Sequence, residues 1–343
     1  MFPGLGYCVM TFLVAFPVAL VSSFILTPVV RALALRVSFV DVPDGKRFHS
    51  SAVPLLGGVA VVVSVLLAWA AAHLSSGSKV TIPELLVILG FLASFGLGLY
   101  DDINGMSAKL KLGAQGACAI LLVWGCYAAG WAHGDFLFPM AVVWVVAIMN
   151  ATNFLDNMDG VAGGVTAAAS AAFALLLYAG GHRVGVVLAA SLLGASLGFL
   201  KYNFSPASIF LGDAGSLPLG YLMAALSIAA AGRADFQSVA APVVVLGYPV
   251  FDITFVTLVR LKEHRKVYQG GKDHTSHRLA AILASTRRTA VVIYLVCLAL
   301  GASGVLMRRV GEPVFSAAAV VVLAVLLLAL GLRLYAPAGR ARA

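Results

Sequence analysis

Asn150, Asn153, Asp156 and Asp159 recur at intervals of three in the stretch NATNFLDNMDG. On a helix, residues three apart are neighbours on adjoining turns, so the four would present oxygen atoms along one ridge. Mg2+ takes oxygen ligands, usually one or two carboxylates completed by water and substrate phosphates. A polar loop in which Asp159 caps the following helix would explain one of these residues and not the other three. Asp101 and Asp102 are adjacent where an apolar run ends, an unfavourable pairing unless a cation or a proton is shared. Lys111 follows at the start of the next run, where an ammonium group can meet a phosphate at a membrane surface. Asp213 lies in FLGDAGSLPLG between Gly212 and Gly215. Glycines let the backbone approach a ligand, and a helix N-terminus attracts phosphate. The alternative is that Asp213 or Ser216 serves as the cap of that helix.

Cationic candidates fall in two other loops. In GGKDHTSHRL, His274 and His277 are three apart and Arg278 follows. Histidines so spaced can bind metal, but with an arginine beside them they suit a pyrophosphate better, because the metal candidates here are hard oxygen ligands. In DGKRFHSSAVPLLGG, Lys46, Arg47 and His49 fit either substrate phosphate or anionic lipid headgroups. Asp252 is an acid inside an apolar run, functional by default or paired with a lysine from another helix.

The elements that must position these residues are membrane spans. The chain has 343 residues, 61% of them hydrophobic and 11% charged, more apolar surface than a soluble domain can bury. Its net charge of +9 is therefore read through topology rather than as a nucleic-acid signal. Eleven apolar runs lie at roughly 9–30, 55–72, 82–99, 113–130, 136–149, 161–179, 184–200, 216–231, 239–259, 289–306 and 313–332. They predict an all-α, polytopic membrane protein of about eleven spans in a single domain, 1–343. With the N-terminus outside and the C-terminus cytoplasmic, the outside loops keep only Lys79, Arg183, Arg233, Arg308 and Arg309 of the 23 lysines and arginines. Most of the acids fall on the cytoplasmic side of the same map. No charge precedes Arg31, so the first run lacks a signal peptide's basic leader and is expected to be retained. Cys8, Cys118, Cys126 and Cys297 form no metal-binding pattern and are expected to be packing residues.

These motifs, in this order from about residue 41 to 279, resemble the polyprenyl-phosphate N-acetylhexosamine-1-phosphate transferases (glycosyltransferase family 4), in particular the undecaprenyl-phosphate GlcNAc-1-phosphate branch, which shares the eleven-helix pattern. The resemblance implies transfer of an N-acetylhexosamine 1-phosphate, GlcNAc first among them, from a UDP-sugar to undecaprenyl phosphate with release of UMP. That would be the first membrane step of a cell-envelope polysaccharide. It implies Mg2+, with Mn2+ able to substitute, and an active site on the cytoplasmic face of a bacterial inner membrane. The implied partners are the UDP-sugar, undecaprenyl phosphate and the bilayer, with a homodimer left open and no nucleic acid. Asp101, Asp102, Lys111, Asp156 and Asp159 are the implied catalytic set. Asp213 would ligate the metal, with Asn153 and Asp156 helping to hold metal and nucleotide. Asn150, Asn153, Lys46, Arg47, His49, His274, His277 and Arg278 would bind substrate. Two departures stand out: Leu55 occupies the place of an arginine in the family's Pro-Arg-X-Gly-Gly element, and HTSH replaces His-X-His-His. The alternatives are the phospho-MurNAc-pentapeptide transferase of peptidoglycan synthesis and, in another class, a secondary transporter with an acid-lined ion site.

Overall fold

The structure is a computed structural model that describes residues 5–41, 52–131, 138–232, 235–268 and 271–335. Lys46, Arg47 and His49 lie outside the described residues. The described helices run α1 (Leu5–Arg36), α2 (Gly57–Ser76), α3 (Ile82–Asn104), α4 (Ala108–Ala128), α5 (Phe138–Leu155), α6 (Val161–Ala179), α7 (Arg183–Asn203), α8 (Asp213–Ala231), α9 (Phe236–Val245), α10 (Gly247–Lys262), α11 (Thr275–Leu283), α12 (Thr286–Val310) and α13 (Pro313–Tyr335). Two short antiparallel strands, β1 (Val40–Asp41) and β2 (Val53–Pro54), pair Val40 with Pro54 and Asp41 with Val53. The protein is an all-α polytopic membrane protein.

Ten helices are long and apolar enough to span a membrane, or eleven if α9 and α10 count as one broken span. The continuous ninth span expected over 239–259 is therefore two helices, bent by 69° at Leu246. Proline chemistry explains the break. Pro249, in the first turn of α10, has no N–H to give the Val245 carbonyl, and Pro242 removes another donor from α9. The fifth span also differs from its expected extent. It continues to Leu155, which puts Asn150 and Asn153 on its last turns and leaves Asp156 and Asp159 in the turns that follow. The four-residue ridge expected on one helix is thus cut in half. All four cysteines are free and buried, as their apolar neighbours suggested.

Enclosure is uneven. Within its most apolar window α8 is 89% buried and α6 83%, whereas α13 is only 11% buried and shows most of its surface to the surroundings. The N-terminus of α8 is set deep among its neighbours by glycines. A Cβ on Gly98 of α3 would meet the Asp213 carbonyl oxygen at 2.1 Å, and one on Gly58 of α2 would meet the Gly215 nitrogen at 2.3 Å. The strand pair leads into the same place. Phe210 N–H donates to Pro54 O at 2.8 Å, and Gly57 and Gly58 N–H donate to Phe210 O and Leu211 O at 2.9 Å each.

Gly98→Val should therefore push α8 off α3 and lower stability by about 1–3 kcal/mol, seen as an earlier thermal unfolding transition in detergent. Gly96→Ala, on the open side of the same helix with nothing within 4 Å, should instead be neutral or stabilising by up to ~1 kcal/mol.

Candidate active site

Four spans bring their ends together around the start of α8. Its N-cap is Gly212, whose φ of +72° suits a residue without a side chain, and its first helical residue is Asp213. Neither Asp213 nor Ser216 caps the helix. The acceptor comes from another span: Asp102 Oδ1 accepts the Asp213 N–H and Oδ2 the Ala214 N–H, both at 2.9 Å. An orphan helix N-terminus in a protein interior needs such an acceptor, and a carboxylate also complements the helix dipole. The glycine at 212 is required here a second time, because a Cβ would come within 2.6 Å of Asp102 Oδ2.

Asp101, the other half of the pair, points elsewhere. Its Oδ2 lies 2.8 Å from Lys111 Nζ, and the same ammonium contacts Asp213 Oδ2. Asn153 Nδ2 donates to the second Asp213 oxygen and to Ser216 Oγ at 2.9 Å. Asp213 is thus held by α4, through Lys111, and by α5, through Asn153. Asp156 follows α5 by one residue and lies near the Gly212 backbone. Removal from water, compounded by the nearby Asp213 and Asp102 carboxylates, pushes its carboxyl well above the usual carboxylate range.

Asn150 and Asp159 have other partners. Asn150 Nδ2 donates to Gln115 Oε1 at 2.7 Å and Gln115 Nε2 donates back to Asn150 Oδ1 at 3.4 Å, an amide pair joining α4 and α5. Asp159 does not cap α6, whose N-cap is Gly160; its Oδ2 accepts the Ala207 N–H at 2.9 Å in the connector that leads to α8.

The histidine segment packs beside the end of α5. His274 lies edge-on to Phe154, with ring centroids 5.6 Å apart, and 5.8 Å from His277. Ser276 Oγ donates to Asn157 Oδ1 at 2.7 Å, so the connector carrying Asp156 is tied directly to this segment. Burial, and next the neighbouring His274, lower the His277 pKa to about 4, which keeps its imidazole neutral. Arg278 is engaged outside the carboxylate group: it donates to Asp273 O and to Leu334 O, each at 3.2 Å, and its guanidinium lies over Phe255 and Tyr335. A cavity of about 520 Å3 is bounded by Ser205, His277, Ser285, Thr286 and Arg287, with none of the carboxylates on its wall.

Arg260, Gln115 and Asn157 were not anticipated. Arg260 is almost fully buried near Phe154, with its Nε 3.0 Å from Asp273 Oδ2 and its Nη1 donating to Val267 O. Burial alone would raise the Asp273 carboxyl, but Arg265 and Arg260 outweigh it and hold that carboxyl below its usual range. The one available signal was the position of Arg260 at the end of a span, where a cation is ordinary. Gln115 and Asn157 looked like any polar residue near a helix end.

The donors gathered here, Asp101, Asp156, Asp213 and Asn153, are all hard oxygens, the set that suits Mg2+. Lys111 is a single positive charge beside the carboxylates of Asp101 and Asp213. In donor chemistry and in charge the residues fit a divalent cation. Among the described residues, no three Asp, Glu, His or Cys side chains already converge as a closed metal site.

The sequence profile of glycosyl transferase family 4 matches residues 84–231, the segment that carries Asp101, Asp102, Lys111, Asn153, Asp156 and Asp213. The probable undecaprenyl-phosphate N-acetylglucosaminyl 1-phosphate transferase of Bacillus subtilis is 32% identical over 306 residues, 86% of this chain and 84% of the relative. The decaprenyl-phosphate N-acetylglucosaminephosphotransferase of Mycobacterium tuberculosis is 32% identical, covering 82% of this chain and 79% of the relative. The phospho-N-acetylmuramoyl-pentapeptide-transferase of Halalkalibacterium halodurans is 31% identical over a shorter stretch, 64% of this chain and 74% of the relative.

Two stability measurements test this geometry. Asp102→Asn keeps one acceptor and turns an NH2 toward the other N–H, so it should cost about 1–3 kcal/mol in thermal unfolding. His277 protonates near 6.5 when unfolded and near 4 when folded. Its contribution is complete above pH 6.5 and is lost as pH falls toward 4, by up to ~3 kcal/mol. Wild type should therefore lose more stability than His277→Gln when both are acidified from pH 7 to pH 4.5.

Proposed function

The chain belongs to glycosyl transferase family 4, and on that premise we propose that it transfers N-acetylglucosamine 1-phosphate from UDP-N-acetylglucosamine to undecaprenyl phosphate, releasing UMP. The observation that carries the reading is the meeting of Asp101, Lys111, Asn153, Asp156 and Asp213 at the ends of separate spans. A water-soluble donor and a lipid acceptor can meet only at a membrane face, and both bring phosphate. The distribution of lysine and arginine supports the N-terminus outside, the C-terminus inside, and the site on the cytoplasmic face of a bacterial inner membrane.

In the reaction an oxygen of the acceptor phosphate bonds to the β-phosphorus, and the bond from that phosphorus to the oxygen of UMP breaks. Two anions must approach, so charge neutralisation and alignment supply much of the catalysis. Asp213, Asp156 and Asn153 would hold Mg2+, for which Mn2+ could substitute; when bound, that ion supplies the charge that neutralises the pyrophosphate. Lys111 pairs with Asp101 and would receive the acceptor phosphate. Asp101 would take the proton of an acceptor that arrives singly ionised. Asp102 has both oxygens occupied by backbone N–H groups and acts by positioning α8 rather than on the acceptor. His274 and His277 would face the donor's phosphates. Asp252, the acid inside a span, is engaged by the histidine segment rather than left to a transported ion.

Purified protein given undecaprenyl phosphate, Mg2+ and UDP-N-acetylglucosamine should release UMP, and EDTA should stop it. UDP as product would mean ordinary glycosyl transfer, and UMP only from UDP-MurNAc-pentapeptide would move the chain to the peptidoglycan branch. Asp213→Asn should abolish turnover, by a factor of about 100 or more, while the protein stays folded in detergent.

A further inference from the structure

The bent ninth span holds a carboxylate that the transfer reaction does not itself require. Asp252, on α10, is fully buried. Its Oδ1 accepts from Thr275 N–H at 2.8 Å and from Thr275 Oγ1–H at 2.5 Å, and its Oδ2 lies 2.9 Å from His274 Nδ1. Tyr248, one turn earlier and also buried, donates its hydroxyl to Thr275 Oγ1 at 3.0 Å, completing a relay from Tyr248 through Thr275 to Asp252. Two turns later on the same helix, Arg260 holds Asp273, the residue before His274. A single helix therefore grips three consecutive residues, 273–275, by one cation and one anion. Phe154 lies edge-on to the His274 ring from α5, and His277 of α11 is a second ring neighbour, with Asp252, Lys272 and Asp273 the charged groups facing His277.

We propose that Asp252 is a positioning residue for the transfer: by accepting Nδ1–H it sets the tautomer and the ring orientation of His274, so that Nε2 is the atom presented to a substrate phosphate oxygen. A carboxylate whose other oxygen already takes two donors offers His274 an acceptor, and a histidine that gives Nδ1–H to it keeps Nε2 for the ligand. The bend at Leu246 matters to this, since it turns α10 to present Asp252 and Arg260 together to the segment before α11. The inference rests on the transferase reading for the role of His274, and on the geometry alone for the hold that Asp252 has on it.

The test uses full-length protein in detergent with histidine labelled by 15N, the His274 signal being identified by its loss in His274→Gln. Wild type should show the Nδ1–H tautomer at His274, and Asp252→Asn should change it. In the UMP-release assay Asp252→Asn should lower kcat about 10–100-fold, with less change in KM for the UDP-sugar. Combined with His274→Gln it should be no slower than His274→Gln alone, because the two act as a unit. An unchanged His274 spectrum, turnover within twofold of wild type, or effects that multiply in the double variant would overturn the proposal. If Asp252→Asn does not fold, Asp252→Glu takes its place: it should keep the tautomer and recover part of kcat, and a His274 spectrum of the other tautomer would overturn the proposal. Wild type that releases no UMP would end the transferase reading, while the spectrum, which needs no turnover, would still decide whether Asp252 sets His274.

Discussion

The free N–H groups at the start of α8 are buried among four other helices, and a buried backbone donor must find an acceptor. Asp102 supplies it from α3. The rest of the site is organised around that contact. With α8 fixed, Asp213 stands where Lys111 and Asn153 can reach it. The close approach depends on glycine at 98 and 58, where a side chain would strike the backbone of α8. A pair of adjacent aspartates that looks like one chemical unit is therefore divided. One half builds the fold, and the other faces Lys111.

Charge sets the second constraint. Burial raises the proton affinity of the Asp156 carboxyl, and the neighbouring Asp213 and Asp102 carboxylates add to it. One lysine does not balance the group. Two described acids elsewhere are fully engaged: Asp273 between Arg260 and Arg265, and Asp252 among Thr275 and His274. At the opposite end of α3, buried Glu84 accepts from Trp69 Nε1 at 2.8 Å and meets His73 at 3.0 Å. Against these satisfied acids, the cluster around Asp213 is the place where further positive charge is wanted, which is the physical case for a divalent cation there.

The histidine segment shows how a broken span can serve a site. Proline chemistry bends the ninth span, and the bend carries Asp252 and Arg260 to a segment that is itself outside the spans. Asn157 and Phe154 then join that segment to the end of α5, so that the carboxylates and the histidines belong to one connected framework.

Much of this was legible in the amino-acid order. Hydrophobic run length determined the all-α membrane fold and the approximate places of the spans, though not the break in the ninth or the end of the fifth, because a bilayer demands about 20 apolar residues per crossing whatever the neighbours are. The motifs carrying Asp101, Lys111, Asn153, Asp156 and Asp213 were visible because acids, amides and glycines are rare at the ends of such runs. What no pattern in the chain could give was the partner of each group. Asn150 and Asn153 have the same type and lie one turn apart, yet one meets Gln115 and the other Asp213. Asp159, expected in the catalytic set with a helix cap as its alternative, accepts from Ala207 N–H, and Arg278, expected to bind substrate, donates to Leu334 O at the end of α13. Periodicity reports which face of a helix a residue occupies. Which helix that face meets is decided by packing between distant segments, and for a buried polar group that choice separates a structural acceptor from a group free to meet substrate.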